Sequence, residues 1–283
     1  MKPIRIPVVA LGPGSQPAET EPLGVQLFAP MEPLTRPAFP DLAPGAGGGA
    51  ALRIVQQLTE RAADARGGRE VIVDVSHLDA GEQTLLNEAL GEGEVSIVVT
   101  RPAAAKVQET AFAGLWRVMR FDDAGKLLED YLELGAIPEI ARAAAARATS
   151  ADLSWGALPE GAMNAESLLK EIRARAREFT PGQTPHVINM SLLPVSREDV
   201  AFVNHSLGTG PVTMLSRGYG RWLITATGVR KVWLVQYFNL MDTLILNTIE
   251  ITGMPEVAVA APDDIEDTAR RLEELAEWMA AAA

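Results

Sequence analysis

The chain repeats itself at a spacing of 117 residues. Leu90-Gly91-Glu92-Gly93-Glu94-Val95 returns as Leu207-Gly208-Thr209-Gly210-Pro211-Val212, Trp116 returns as Trp233, and Val118 as Val235. Glu133 and Glu250 keep that spacing, as do Pro138-Glu139 and Pro255-Glu256. A constant offset held through residues of such different kinds points to one structural unit used twice, and any fold for this chain must seat both copies.

Each copy opens with a strand and a helix and continues with strands. In copy one, Val71, Val73 and Val75 alternate with Ile72 and Asp74, giving a strand at 70–76 and then a helix near 79–90. Strands follow at 94–100, 111–121 and 126–135, with a helix from Pro138. Copy two has a strand at 186–192, a helix at 196–207, strands at 211–216, 221–227, 231–238 and 244–252, and a final helix at 263–279. The connections between strands are too short for helical crossovers, so the pairing is mostly antiparallel. The Pro-Glu pairs suit helix starts, where proline loses no needed hydrogen bond and the carboxylate complements the dipole. The expected fold class is α+β: two duplicated subdomains, each a mostly antiparallel sheet with covering helices. Two such sheets, stacked, leave a cleft between the copies and free strand edges.

The flanks complete the organisation. Residues 1–49 hold 10 of the 19 prolines and read as a Pro/Gly-rich extended arm. Residues 50–148 form the first repeat, which begins with a helix at 50–66; 149–180 are a linker and a basic helix; 181–283 form the second repeat. Gly45-Ala46-Gly47-Gly48-Gly49-Ala50 before a helix resembles a dinucleotide loop only superficially. That chemistry needs a strand just upstream, and Pro33, Pro37, Pro40 and Pro44 leave no room for one.

Charge and missing residue types exclude several functions. Acids outnumber bases 37 to 25, a net charge of −12, which repels nucleic acid and attracts basic segments of other proteins. With no cysteine there is no thiolate nucleophile, disulfide, thiolate zinc site or self-ligated iron–sulfur cluster. No apolar run approaches the ~20 residues that span a bilayer, and no cleavable leader is evident, so the expectation is a cytoplasmic protein without membrane insertion.

The remaining candidates for chemistry are few. His77, His186 and His205 are scattered and do not form a ligand set, even with Asp79, Glu198 or Asp199 nearby in sequence, so no metal and no cofactor is expected. Glu133 and Glu250 could meet across a pseudo-twofold axis as acid and base, but no nucleophile or oxyanion donor accompanies them, and no catalytic residue is assigned. Ser216-Arg217-Gly218-Tyr219-Gly220 is the most informative segment. It joins two strands as a wide turn needing positive φ at its glycines, yet its counterpart Val99-Thr100-Arg101-Pro102-Ala103 lacks both glycines and the aromatic residue. The framework does not account for it, and exposed Arg and Tyr are recognition residues, so this loop is the expected partner-binding site.

The residues then resemble a known family. The resemblance rests on His186-Val187-Ile188-Asn189, Leu192-Leu193-Pro194, Leu207-Gly208-Thr209-Gly210-Pro211, Ser216-Arg217-Gly218-Tyr219-Gly220 and Val232-Trp233 with Gln236-Tyr237-Phe238-Asn239. It continues through Leu244-Ile245-Leu246-Asn247-Thr248, Pro255-Glu256-Val257-Ala258 and, upstream, Glu109-Thr110-Ala111-Phe112-Ala113-Gly114-Leu115-Trp116. These stretches are similar to the HupH/HyaF family of [NiFe]-hydrogenase expression/formation proteins. Within them, Asn189, Asn239, Asn247 and Glu109 are further surface or cleft candidates.

The resemblance implies a non-enzymatic cytoplasmic chaperone in hydrogenase maturation. Its partner would be the immature iron–sulfur small subunit with its twin-arginine signal, held until cluster completion and export, with other hydrogenase accessory proteins as further partners. One departure stands out: Arg221-Trp222-Leu223 occupies the place where the family usually has Asn-Cys-Arg. The alternative from another class is an enzyme or small-molecule binder that uses the cleft between the repeats, with Glu133 and Glu250 as its acids.

Overall fold

The computed structural model describes residues 49–66, 69–147, 150, 152–218 and 220–281, so the expected arm, apart from Gly49, lies outside the described residues. The first run of elements is α1 (Ala50–Arg66), β1 (Val71–Asp74), α2 (Ala80–Leu90), β2 (Val95–Val99), β3 (Ala104–Glu109), β4 (Leu115–Phe121), β5 (Leu127–Leu134) and α3 (Glu139–Ala146). The second is α4 (Ala165–Glu178), β6 (His186–Asn189), α5 (Arg197–Leu207), β7 (Val212–Ser216), β8 (Trp222–Ala226), β9 (Val232–Phe238) and β10 (Leu244–Ile251). A short 3-10 helix, Glu256–Ala258, and α6, Pro262–Ala281, end the chain's described part. The fold is α+β, and the element order of the first run recurs in the second. The basic helix α4 packs on α5 and β10, and so stands in the second run where α1 stands in the first.

Local chemistry recurs at the same offset. α2 and α5 each begin with a capping box, Asp79 with Glu82 and Ser196 with Asp199. Both helices end at a glycine with positive φ, Gly91 at 62° and Gly208 at 64°. The indole N–H of Trp116 donates to the Gly135 carbonyl, and that of Trp233 to the Thr252 carbonyl. Each tryptophan is a core anchor whose one polar atom is satisfied.

Two expectations are corrected. The strand β3 was not anticipated, because Ala104-Ala105-Lys106-Val107-Gln108-Glu109 is built largely of good helix formers. Pairing with β2 on one side and β4 on the other overrides that propensity. The turn at 110–114 then delays the next strand to Leu115. The second correction concerns the relation of the halves. They do not form two stacked sheets with a cleft between them; one ten-stranded sheet runs β1-β5-β4-β3-β2-β7-β8-β9-β10-β6. Edges β2 and β7, which would each expose unpaired backbone groups, pair antiparallel with one another. Ile97 meets Met214, its counterpart at the repeat offset, so a local twofold passes through that pair.

The cores follow the sheet. One cluster spans the junction, with Ile97, Val99, Trp116 and Val118 from the first half and Val212, Met214, Trp233 and Val235 from the second. Another lies under α1 and is covered by α6, whose Leu272, Leu275 and Met279 join Ile54, Leu58 and Leu115. Each such buried side chain stabilises the fold by roughly 1.5–3 kcal/mol. The second half thus supplies the lid of the first half's core, and Thr268 Oγ1 in α6 donates to the Ala113 carbonyl at 2.8 Å. Among the described residues no helix is long and apolar enough to cross a membrane.

Candidate partner-binding end of the sheet

Strand direction gathers the candidate residues. β7 and β9 end, and β8 and β10 begin, at one end of the sheet, where β6 also terminates. Three connections of the second half therefore meet there: 217–221 after β7, 239–243 after β9 and 190–196 after β6. They are tied together. The Arg221 carbonyl accepts the Phe238 N–H at 2.9 Å, and the Arg221 guanidinium pairs with Asp242. Ser191 Oγ accepts the Asn247 N–H, and the Asn247 carbonyl accepts the Met190 N–H, each at 2.9 Å.

The expected loop sits at the seam between the halves. Ser216 is buried opposite Val95, and the Arg217 N–H donates to the Glu94 carbonyl at 3.1 Å. The counterpart bond, Thr100 N–H to the Pro211 carbonyl at 2.9 Å, closes the seam at its other end. Only Gly220 uses the left-handed region, at φ 95°. Gly218 does not, which corrects the expectation of positive φ at both glycines. A β-carbon there would meet the carboxylate of Glu94, an exposed side-chain end that is free to swing aside. Tyr219 lies outside the described residues.

The asparagines shape the neighbouring turns. Asn239 Oδ1 accepts the N–H groups of Met241 and Thr243, both at 2.9 Å, and Asn189 Oδ1 accepts the Ser191 N–H at 3.0 Å. Asn189, Asn239 and Asn247 are thus brought together with the 217–221 loop. Glu109 belongs to the first half but ends β3 at the same sheet end, beside Val95 and Glu94. It lines a pocket of about 190 Å³ with Asn87, Gln108 and Arg117, and accepts the Gly114 N–H at 3.3 Å. Burial pushes its carboxyl up to about 7, and the charges of Glu94 and Asp264 add to that.

The turn at 239–243 was missed as a site, and comparison with the first half picks it out. The same turn occurs at 122–126, where Asp122 Oδ1 accepts the N–H groups of Ala124 and Lys126. The first half places Gly125 at φ 79°, whereas the second holds Asp242 at φ 57°, a conformation that Asp tolerates better than most residues. Where the first half has Asp123 and Ala124, the second exposes Leu240 at 80% and Met241 at 82%. Leu192, at 81%, and Ile245 extend that apolar surface. The signal in the sequence was a Leu-Met pair in the connection between the strands at 231–238 and 244–252, where polar residues are usual.

The other candidates separate. Glu133 and Glu250 sit on β5 and β10 with six strands between them, on the order of 30 Å at ordinary strand spacing, so no acid–base pair forms. Glu133 is fully buried, and its Oε1 accepts the Glu139 N–H at 2.7 Å at the start of α3. Burial, helped by Glu70 and Glu139, pushes it up to about 7. Asp199 is a structural acceptor. Its Oδ1 takes the N–H groups of Met163, Asn164 and Ala165 at 2.8 Å each, and its Oδ2 takes that of Ser196 at 2.9 Å. Burial pushes Asp199 up, but those four bonds outweigh it and hold the carboxyl below its usual range. Trp222 lies in the junction core, opposite Ser216 and Tyr237, so the position that departs from the family pattern is a packing position here.

Comparison with known proteins gives a consistent result. The conserved C-terminal region of the HupH hydrogenase expression protein matches residues 49–153 and 162–279. The hydrogenase expression/formation protein HoxQ of Cupriavidus necator is 41% identical over 99% of both chains. HupH of Rhodobacter capsulatus, also a hydrogenase expression/formation protein, is 39% identical over 96% of this chain and 97% of its own. The hydrogenase-1 operon protein HyaF of Escherichia coli is 36% identical over 96% of each.

Proposed function

The chain belongs to the HupH family of hydrogenase expression/formation proteins, and from that premise we propose that it is a non-enzymatic chaperone acting in the cytoplasm. Its client is the immature iron–sulfur small subunit, held before cluster completion and twin-arginine export. Other hydrogenase accessory proteins are further partners. The contact surface is the sheet end formed by 190–196, 217–221 and 239–243. A small subunit without its clusters leaves apolar surface uncovered, and the exposed Leu192, Leu240, Met241 and Ile245 are suited to cover it. The net charge of −12 speeds the approach of a basic signal segment.

The observation that carries this reading is the difference between two turns of the same geometry. The polar turn at 122–126 is sufficient for the fold, so the apolar tip at 239–243 answers to something outside it. The test is a titration of the cluster-free small subunit against Arg217→Ala and Tyr219→Ala, with Thr100→Ala and Arg101→Ala as counterparts. The first two are expected to weaken capture by roughly 1–3 kcal/mol, and the counterparts to leave it intact. Unchanged affinity in both loop variants, or a loss that follows a lowered melting temperature, contradicts the reading.

A further inference from the structure

The two halves keep the same pair of acids but differ in what neutralises them. In the first half, Arg142 bridges Glu139 and Glu70 beside the buried Glu133, and its charge draws Glu133 down against the burial that pushes it up. At the repeat offset, Glu133 becomes Glu250 and Glu139 becomes Glu256. Arg142 becomes Val259, and the pair Arg120–Glu129 becomes Tyr237 and Leu246. In the strand register Val187 lies opposite Glu250 as Ile72 lies opposite Glu133, so the place of Glu70 falls to Pro185. Glu250 and Glu256 are thus retained while Arg142, the cation beside their first-half counterparts, is not.

The second-half acids open onto a pocket of about 390 Å³ lined by Pro185, Val187, Tyr237, Glu250, Glu256 and Val257. Glu250 is half-buried and receives only a long bond from Thr248 Oγ1, at 3.4 Å. Burial raises its carboxyl above the usual range and the Glu256 charge raises it further, and among the described residues no cation opposes them. The Tyr237 hydroxyl is raised as well, by burial and by Glu250. Val187 and Val257 present exposed apolar walls. The pocket reaches back from the sheet end described above: Tyr237 is two residues from Asn239, whereas Glu250 lies six residues along β10 from Leu244, about 20 Å.

We propose that this pocket receives an arginine side chain of a protein partner, its guanidinium taking the role that Arg142 plays in the first half. A planar guanidinium can donate to Glu250 and Glu256 together and lie against the Tyr237 ring. Its aliphatic stem then rests on Val187, Val257 and Pro185. Among the described residues the lining offers no cation for an α-carboxylate, which favours an arginine within a chain over the free amino acid.

The experiment titrates N-acetyl-L-arginine amide, N-acetyl-L-citrulline amide and free L-arginine into the full chain, followed by the NMR signals of the Glu250 carboxyl and the Tyr237 ring. The capped arginine is expected to bind saturably in the millimolar range, about tenfold or more tighter than its uncharged isostere. Glu250→Gln, which keeps the shape of the side chain, is expected to remove that preference. Absence of saturable binding, equal binding of the arginine and citrulline probes, or binding unchanged in Glu250→Gln overturns the site. Free L-arginine binding about tenfold more tightly than the capped probe overturns the protein partner.

Discussion

Ile97 in β2 pairs with Met214 in β7, and the two are counterparts at the repeat offset. Both are buried in the cluster that spans the two halves, so the junction is core and not a hinge. The halves should therefore unfold together. Calorimetry is expected to show one cooperative transition, and Ile97→Ala should lower the whole of it by roughly 2–4 kcal/mol. Two resolved transitions, with only one of them moved by Ile97→Ala, would contradict a shared core.

Asp199 supports a second prediction. Its four backbone bonds join the start of α5 to the entry into α4. Asp199→Ala leaves those N–H groups unpaired and is expected to cost roughly 2–4 kcal/mol in a denaturant titration. Because the folded carboxyl is held low, its contribution is present above the unfolded value of 3.8 and fades as pH falls through the lowered folded value. The wild type and Asp199→Ala should therefore converge in stability at the acid end.

Glu133 acts in the opposite direction. Its folded carboxyl is raised from 4.5 to about 7, so between those values the folded chain holds the proton that the unfolded chain has released. Stability should fall as pH rises through this window. Glu133→Gln keeps the acceptor for the Glu139 N–H and removes the titration. Relative to the wild type, it should gain about 1–3 kcal/mol between the acid and neutral ends. A difference that does not change with pH would show that the folded carboxyl titrates as the unfolded one does, so that burial does not raise it.

The sequence made the repeat legible because buried residues such as Trp116 and Trp233, and backbone positions such as Gly91 and Gly208, have little freedom to change. Helix boundaries were readable where capping residues mark them, as at Asp79 and Ser196. The strand at Ala104–Glu109 was not, because its pairing partners are set by the sheet and not by its own side chains. The joining of β2 to β7 was hidden for the same reason: an edge carries no mark of which other edge it will meet. At the candidate site, Arg217 and Gly218 were visible as an oddity, but their position at the seam beside Glu94 of the other half was not. Leu240 and Met241 became conspicuous only once the turn at 122–126 could be laid beside their own.

The most direct test of the chaperone reading exploits that pair of turns. The cluster-free small subunit is titrated by calorimetry into the wild type, into Leu240→Ser with Met241→Ser, and into Asp123→Ser with Ala124→Ser as the first-half counterpart. Leu240 and Met241 are exposed, so their replacement should leave the melting temperature nearly unchanged. The account predicts that the second-half double variant binds the client at least about tenfold more weakly, while the first-half variant binds as the wild type does. Equal affinity for all three chains would contradict it.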